Sequence, residues 1–83
     1  MKLVYFSWVR EKIGTASETL NPPLEIDTVQ ELVNWLCSRG EGYALAFADP
    51  EHIRIAINHE YANMDARIGI EDEVAFFPPV TGG

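Results

Sequence analysis

Few side chains in this sequence are of types and spacings that do chemistry. Cys37 is the one cysteine, so no internal disulfide can form and no Cys/His set has zinc-ligand spacing. It follows Val33 by four residues, beside an apolar helical stripe, which predicts a buried structural thiol rather than a sulfur relay. His52 and His59 lie seven residues apart with no third ligand nearby, and no metal site is expected. Asp72 and Glu73 are adjacent, and adjacent strand residues point to opposite faces, so they do not read as an acid/base pair. Glu71-Asp72-Glu73 reads instead as a solvated acidic turn that could also meet a basic partner surface. Trp8 and Trp35 read as packing residues. No nucleophile–base constellation or phosphate-cradling loop remains.

The most suggestive chemical group belongs to the backbone. The sequence closes on Phe76-Phe77-Pro78-Pro79-Val80-Thr81-Gly82-Gly83. Two prolines stop a strand and stiffen the segment that follows. Val80 to Gly83 can then reach roughly 13 Å from the body. Gly82 and Gly83 carry no side chains, so the backbone can enter a narrow slot and the Gly83 carboxylate is sterically bare. A second enzyme that activates a carboxylate needs that access. Two glycines alone also describe an ordinary frayed terminus; the longer ending is what distinguishes them.

The elements that would hold this tail follow from periodicity. Leu3–Val9 is rich in β-branched and aromatic residues and reads as a first strand. Arg10 to Gly14 reads as a short helical turn stopped by glycine. Ser17–Leu20 is a weaker strand, ended by Asn21-Pro22-Pro23. Thr28-Val29-Gln30-Glu31 is a capping box. Val29, Leu32, Val33 and Leu36 then recur at helical spacing, with Gly40 and Gly42 expected to end the helix. Tyr43–Ala48 reads as a second short helical turn, closed at Asp49-Pro50. Ile53–Ile57 alternates at period two, Asn58-His59-Glu60 supplies a turn, Tyr61-Ala62 begins the return, and Glu73–Phe77 is the last strand.

This order predicts an α+β domain, a mixed sheet packed on one main helix. One helix covers one face of a sheet, yet the first and last strands are apolar on both faces. Either the connections at 39–52 and 62–72 fold over the second face, or that face docks another protein. Phe6, Tyr61 and Phe77 are the leading docking candidates.

Composition is consistent with this. The chain has 83 residues, 47% of them hydrophobic, enough for one packed domain. There are no repeats, linkers, membrane-length apolar runs or signal segment, and a soluble cytoplasmic protein is expected. A net charge of −7 repels phosphate backbones, so nucleic-acid binding is not expected, while encounter with a basic protein surface is favoured.

The ending Glu73-Val74-Ala75-Phe76-Phe77-Pro78-Pro79-Val80-Thr81-Gly82-Gly83 closely resembles the C-terminal signature of molybdopterin synthase small subunits, the MoaD type within the MoaD/ThiS family of ubiquitin-like sulfur carriers. Tyr5-Phe6-Ser7-Trp8-Val9-Arg10-Glu11-Lys12-Ile13-Gly14 resembles the family's aromatic strand followed by Arg-Glu-x-x-Gly. Thr28-Val29-Gln30-Glu31-Leu32 resembles its helix start, and Asn58 matches a usual asparagine. One departure is Glu71, where the family usually has glycine, and the turn there is expected to be built differently.

The resemblance implies a β-grasp domain over residues 1–77 and an extended tail over 78–83. It also implies a two-stage chemistry in which no side chain of this chain is catalytic. An adenylyltransferase related to ubiquitin-activating enzymes would use ATP to adenylate Gly83, and a sulfur donor would convert it to a thiocarboxylate. The tail would then enter the molybdopterin synthase large subunit and give its sulfur to cyclic pyranopterin monophosphate. Gly82 would provide clearance; Thr81, Val80, Pro79 and Pro78 would set register and reach. Two large and two small subunits would assemble, and this chain would bind no cofactor itself. Carriers for thiamine thiazole synthesis or tRNA thiolation, protein modifiers, and an inert ubiquitin-like binding module share much of this pattern.

Overall fold

The structure, a computed structural model, describes residues 1–79. Its elements run β1 (Lys2–Tyr5), α1 (Ser7–Ile13), β2 (Ser17–Thr19), α2 (Val29–Cys37), α3 (Glu41–Ala46), a 3-10 turn (Pro50–His52), β3 (Arg54–Ile57), β4 (Glu60–Ala62) and β5 (Glu73–Phe77). The strands form one mixed sheet in the order β2-β1-β5-β3-β4. The first and last strands pair in parallel at its centre, Leu3 opposite Val74 and Tyr5 opposite Phe76. The remaining pairs are antiparallel. This is the expected β-grasp arrangement.

Helix α2 forms where the capping box places it. The Glu31 amide donates to Thr28 Oγ1 at 3.3 Å, and the Thr28 amide donates to Glu31 Oε1 at 3.1 Å. Those two bonds satisfy amides that the first helical turn leaves without partners. Val29, Leu32, Val33 and Leu36 are all buried, and they pack over Leu3, Tyr5, Ile55, Val74 and Phe76 of the sheet in one core. Phe76 is its hub, stacked on Tyr5 at 6.1 Å and edge-on to Phe47 at 4.9 Å.

Two sequence expectations are corrected. The first strand stops at Tyr5, not Val9. Ser7 takes a positive φ of 56° and turns the chain into α1, so Trp8 leaves the sheet and stands on a helix. Strand-like composition is overridden where the ladder to β5 runs out. Helix α2 ends at Cys37, capped by Ser38, whose hydroxyl donates to the Trp35 carbonyl at 2.6 Å. Gly40 and Gly42 have other duties. Gly40 is the extended residue that begins α3, and Gly42 lies inside α3 against α1. The Gly14 stop is as expected, in the left-handed conformation at φ 97°.

Among the described residues, no helix is long and apolar enough to cross a membrane.

Candidate functional site

The site is built around the end of β5. This strand sits at the sheet's centre, held by β1 on one side and β3 on the other, and its pleat alternates. Val74 and Phe76 enter the core, whereas Glu73, Ala75 and Phe77 face away from α2. Val4 of β1 and Phe6 just beyond that strand continue this second face, with Ala56 from β3 and Tyr61 from β4. Register places Val4, Ala75, Ala56 and Tyr61 side by side across four strands.

Neither long connection covers this face. Residues 62–72 run beside the start of α2: the Val29 and Gln30 amides donate to the Ala66 and Met64 carbonyls, and the Ile68 amide donates to the Asp27 carbonyl. Residues 39–52 carry α3, which packs on α1 and α2. The uncovered face is therefore a groove of about 460 Å³. Small residues, Ala75 and Ala56, lower its floor, and aromatic residues raise its edges. Phe6 is 49% exposed and Tyr61 80% exposed, while Phe77 is half-buried against Tyr61 at 5.9 Å between ring centres. All three docking candidates thus come together on one open surface. The far edge is charged: Glu73 lies 3.8 Å from Lys2 and 3.5 Å from His59.

In the turn before β5, Glu71 does not take a positive φ. Asp72 accepts the Gly69 amide at 2.7 Å and the Asn58 side-chain amide at 2.9 Å. The Glu73 amide donates to Asn58 Oδ1 at 3.0 Å. Asn58 and His59 instead hold the positive φ values, 50° and 72°, in the two-residue β3–β4 hairpin. Asn58 thereby ties that hairpin to the start of β5 and fixes the strand that carries the tail.

Pro78 and Pro79 follow β5 directly and form part of a second cleft with Trp8 and Leu45. The remaining tail residues, Val80, Thr81, Gly82 and Gly83, lie outside the described residues. Cys37 is half-buried rather than buried as expected; partial burial pushes its thiol up from its ordinary value, and its sulfur sits 3.9 Å from the Tyr43 carbonyl. Among the described residues no group of three or more His, Cys, Asp or Glu side chains is placed to hold a metal. Sequence reasoning missed the alanine floor of the groove, although the period-two alternation of β3 and β5 carried the signal. It also missed the Trp8–Leu45 cleft, because Trp8 was expected in a strand.

A five-strand mixed sheet with parallel terminal strands, one main helix and an open aromatic groove beside the last strand defines the ubiquitin-like β-grasp class. Within that class, the chain belongs to the ThiS family, whose profile matches residues 3–83. It is 35% identical over 83 residues to the molybdopterin synthase sulfur carrier subunit of Escherichia coli strain K12, a match covering 100% of this chain and 99% of that protein. The protein of the same description from Haemophilus influenzae is 31% identical, with the same coverage of each chain. Among solved structures, the small archaeal modifier protein 1 of Haloferax volcanii superposes with a TM-score of 0.78 at 25% identity, covering 96% of this chain and 97% of that one.

Proposed function

We propose that this chain is the sulfur-carrier small subunit of molybdopterin synthase, working in the cytoplasm in molybdenum cofactor biosynthesis. One observation carries the reading: the central strand of a carrier-type fold ends with Phe77 on an uncovered apolar groove and runs directly into Pro78-Pro79, after which the sequence reads Val-Thr-Gly-Gly. Full-length likeness to proteins described as molybdopterin synthase sulfur carrier subunits supports it.

The chemistry follows from the carboxylate. A carboxylate is a poor electrophile, so an activating enzyme must first join a Gly83 oxygen to the α-phosphate of ATP, releasing pyrophosphate. A sulfur donor then displaces AMP, leaving a thiocarboxylate. In the large subunit that sulfur forms a carbon–sulfur bond to cyclic pyranopterin monophosphate as a carbon–oxygen bond of the precursor breaks and its oxygen leaves, and hydrolysis of the acyl–sulfur bond then returns the Gly83 carboxylate. A second loaded carrier completes the dithiolene. Phe6, Tyr61 and Phe77 provide apolar docking area, Pro78 to Thr81 set direction and length, and Gly82 lets the backbone pass. This chain contributes no catalytic side chain and no bound cofactor; ATP belongs to the activating enzyme.

The decisive experiment is intact-mass measurement after incubation with activating enzyme, ATP and a sulfur source. A gain of about 16 Da, one oxygen replaced by sulfur through an activated acyl intermediate, is expected, followed by loss of that gain when large subunit and pterin precursor are added. Adding one residue after Gly83 should abolish both changes. Persistence of the unmodified mass with every cognate activating enzyme would reject the proposal. A second reading, attachment of Gly83 to lysines of other proteins, is favoured by the likeness to an archaeal modifier protein. It predicts isopeptide-linked products in place of the sulfur transfer.

A further inference from the structure

The ground on the other side of the tail root is also open. Trp8 and Lys12 of α1, Leu45 of α3, and Pro78 and Pro79 line a cleft of about 540 Å³. Leu45 is 54% exposed, although the next two residues, Ala46 and Phe47, are buried in the core. Folding therefore does not account for a leucine at position 45. Asp49 at the cleft's edge is engaged by His52, with Oδ2 to Nδ1 at 2.7 Å. Lys12 has no ion pair among the described residues.

Reach decides what can cover this cleft. Four residues beyond Pro79 span at most roughly 13 Å, so a protein that draws Gly83 into a slot must press the mouth of that slot against the surface from which the tail rises. That surface has two apolar sides, the sheet groove bordered by Phe77 and the cleft bordered by Pro79. Contact on the sheet side alone would leave the Pro79 side of that surface uncovered, whereas contact on both sides encloses it.

Resting on the sulfur-carrier reading, we propose that the large subunit closes on both sides of the tail. An apolar side chain from the rim of its slot seats in the Trp8–Leu45–Pro79 cleft, and an adjacent carboxylate meets Lys12. The cleft is thus a second docking surface, continuous with the tail and separate from the sheet groove.

The test uses the full chain and the cognate large subunit in calorimetric titration. Leu45→Ser removes apolar contact and Ala48→Arg, at an exposed cleft residue, blocks entry. Each is expected to weaken binding by about tenfold or more, with the thermal midpoint within a few degrees of wild type. Lys12→Glu should weaken binding more at low than at high salt. Wild-type affinity in both Leu45→Ser and Ala48→Arg would overturn this inference and leave the carrier reading intact. Failure of the wild-type chain to bind the large subunit or to gain sulfur would overturn both. Loss in these variants of a wild-type self-association seen by sedimentation, with large-subunit affinity unchanged, would also overturn it and assign the cleft to a second copy.

Discussion

Gly42→Ala should destabilise the domain, against the usual benefit of alanine in a helix. A Cβ at position 42 would stand 2.6 Å from the Lys12 carbonyl oxygen and 3.4 Å from the Ile13 Cα. Ordinary contact begins near 3.4 Å, so α1 and α3 must part by about 0.8 Å, and the obstacle is backbone rather than a yielding side chain. Overpacking of this kind costs about 1–3 kcal/mol, with the upper half of that range expected against backbone. Alanine returns at most about 1 kcal/mol of helix propensity, leaving a net loss of about 1–2 kcal/mol. For a domain of this size that lowers the thermal midpoint by roughly 5–15 °C, measurable by circular dichroism or calorimetry. Gly40→Ala is the control. Its φ is extended, and its Cβ would meet only Tyr43 Cδ2 at an ordinary 3.7 Å, so a change within about 0.5 kcal/mol is expected. A Gly42→Ala midpoint at or above that of wild type would refute the close approach of the two helices.

Three further outcomes follow from local geometry. Glu31 is held below its ordinary carboxylate value by the Asp27 amide first and the Thr28 amide and hydroxyl after it. With the folded value depressed, the unfolded chain binds more protons between the two values. This group's stabilisation is therefore full above about pH 4.5 and is lost as pH falls through the folded value; Glu31→Gln should lower the urea midpoint at pH 7 and show a smaller deficit at pH 3. His59→Gly should raise stability by about 0.5–1 kcal/mol in urea titration, since glycine occupies a φ of 72° without strain and the exposed pair to Glu73 that it gives up contributes little. Glu18 accepts the phenols of Tyr5 at 2.8 Å and Tyr43 at 2.6 Å, and Tyr5 is buried, so Glu18→Ala should cost about 1–3 kcal/mol by leaving that hydroxyl unpaired; an unchanged urea midpoint would contradict the network.

What the sequence made legible was local. The capping box at Thr28, the apolar stripe of α2, the Gly14 stop and the limits of β5 each depend on residues within one or two turns of each other. The open face was legible too, because period-two alternation shows that one helix cannot cover both sides of β1 and β5. What escaped was set by distant partners. Ser7 turns where β1 loses its ladder to a strand some seventy residues later, and no nearby residue announces that. Gly42 marks an approach between α1 and α3, which a linear pattern cannot separate from a helix stop. The chemistry proposed for Gly83 rests on the whole ending of the chain and its likeness to a family, because a bare carboxylate has no side-chain constellation to betray it.

The position of β5 also governs how the domain bears load. Under the proposed function, a partner that draws the tail inward loads the end of the central strand. That force falls on the parallel ladder to β1 and the antiparallel ladder to β3 at once. Bonds lying across the direction of pull share the tension and must fail together, whereas an edge strand peeled from its end would release them singly. Tyr5, Phe76 and Phe47, locked against one another beneath the strand, resist its sliding. The domain can therefore be gripped, seated and withdrawn by its last few residues while the sheet behind them stays closed.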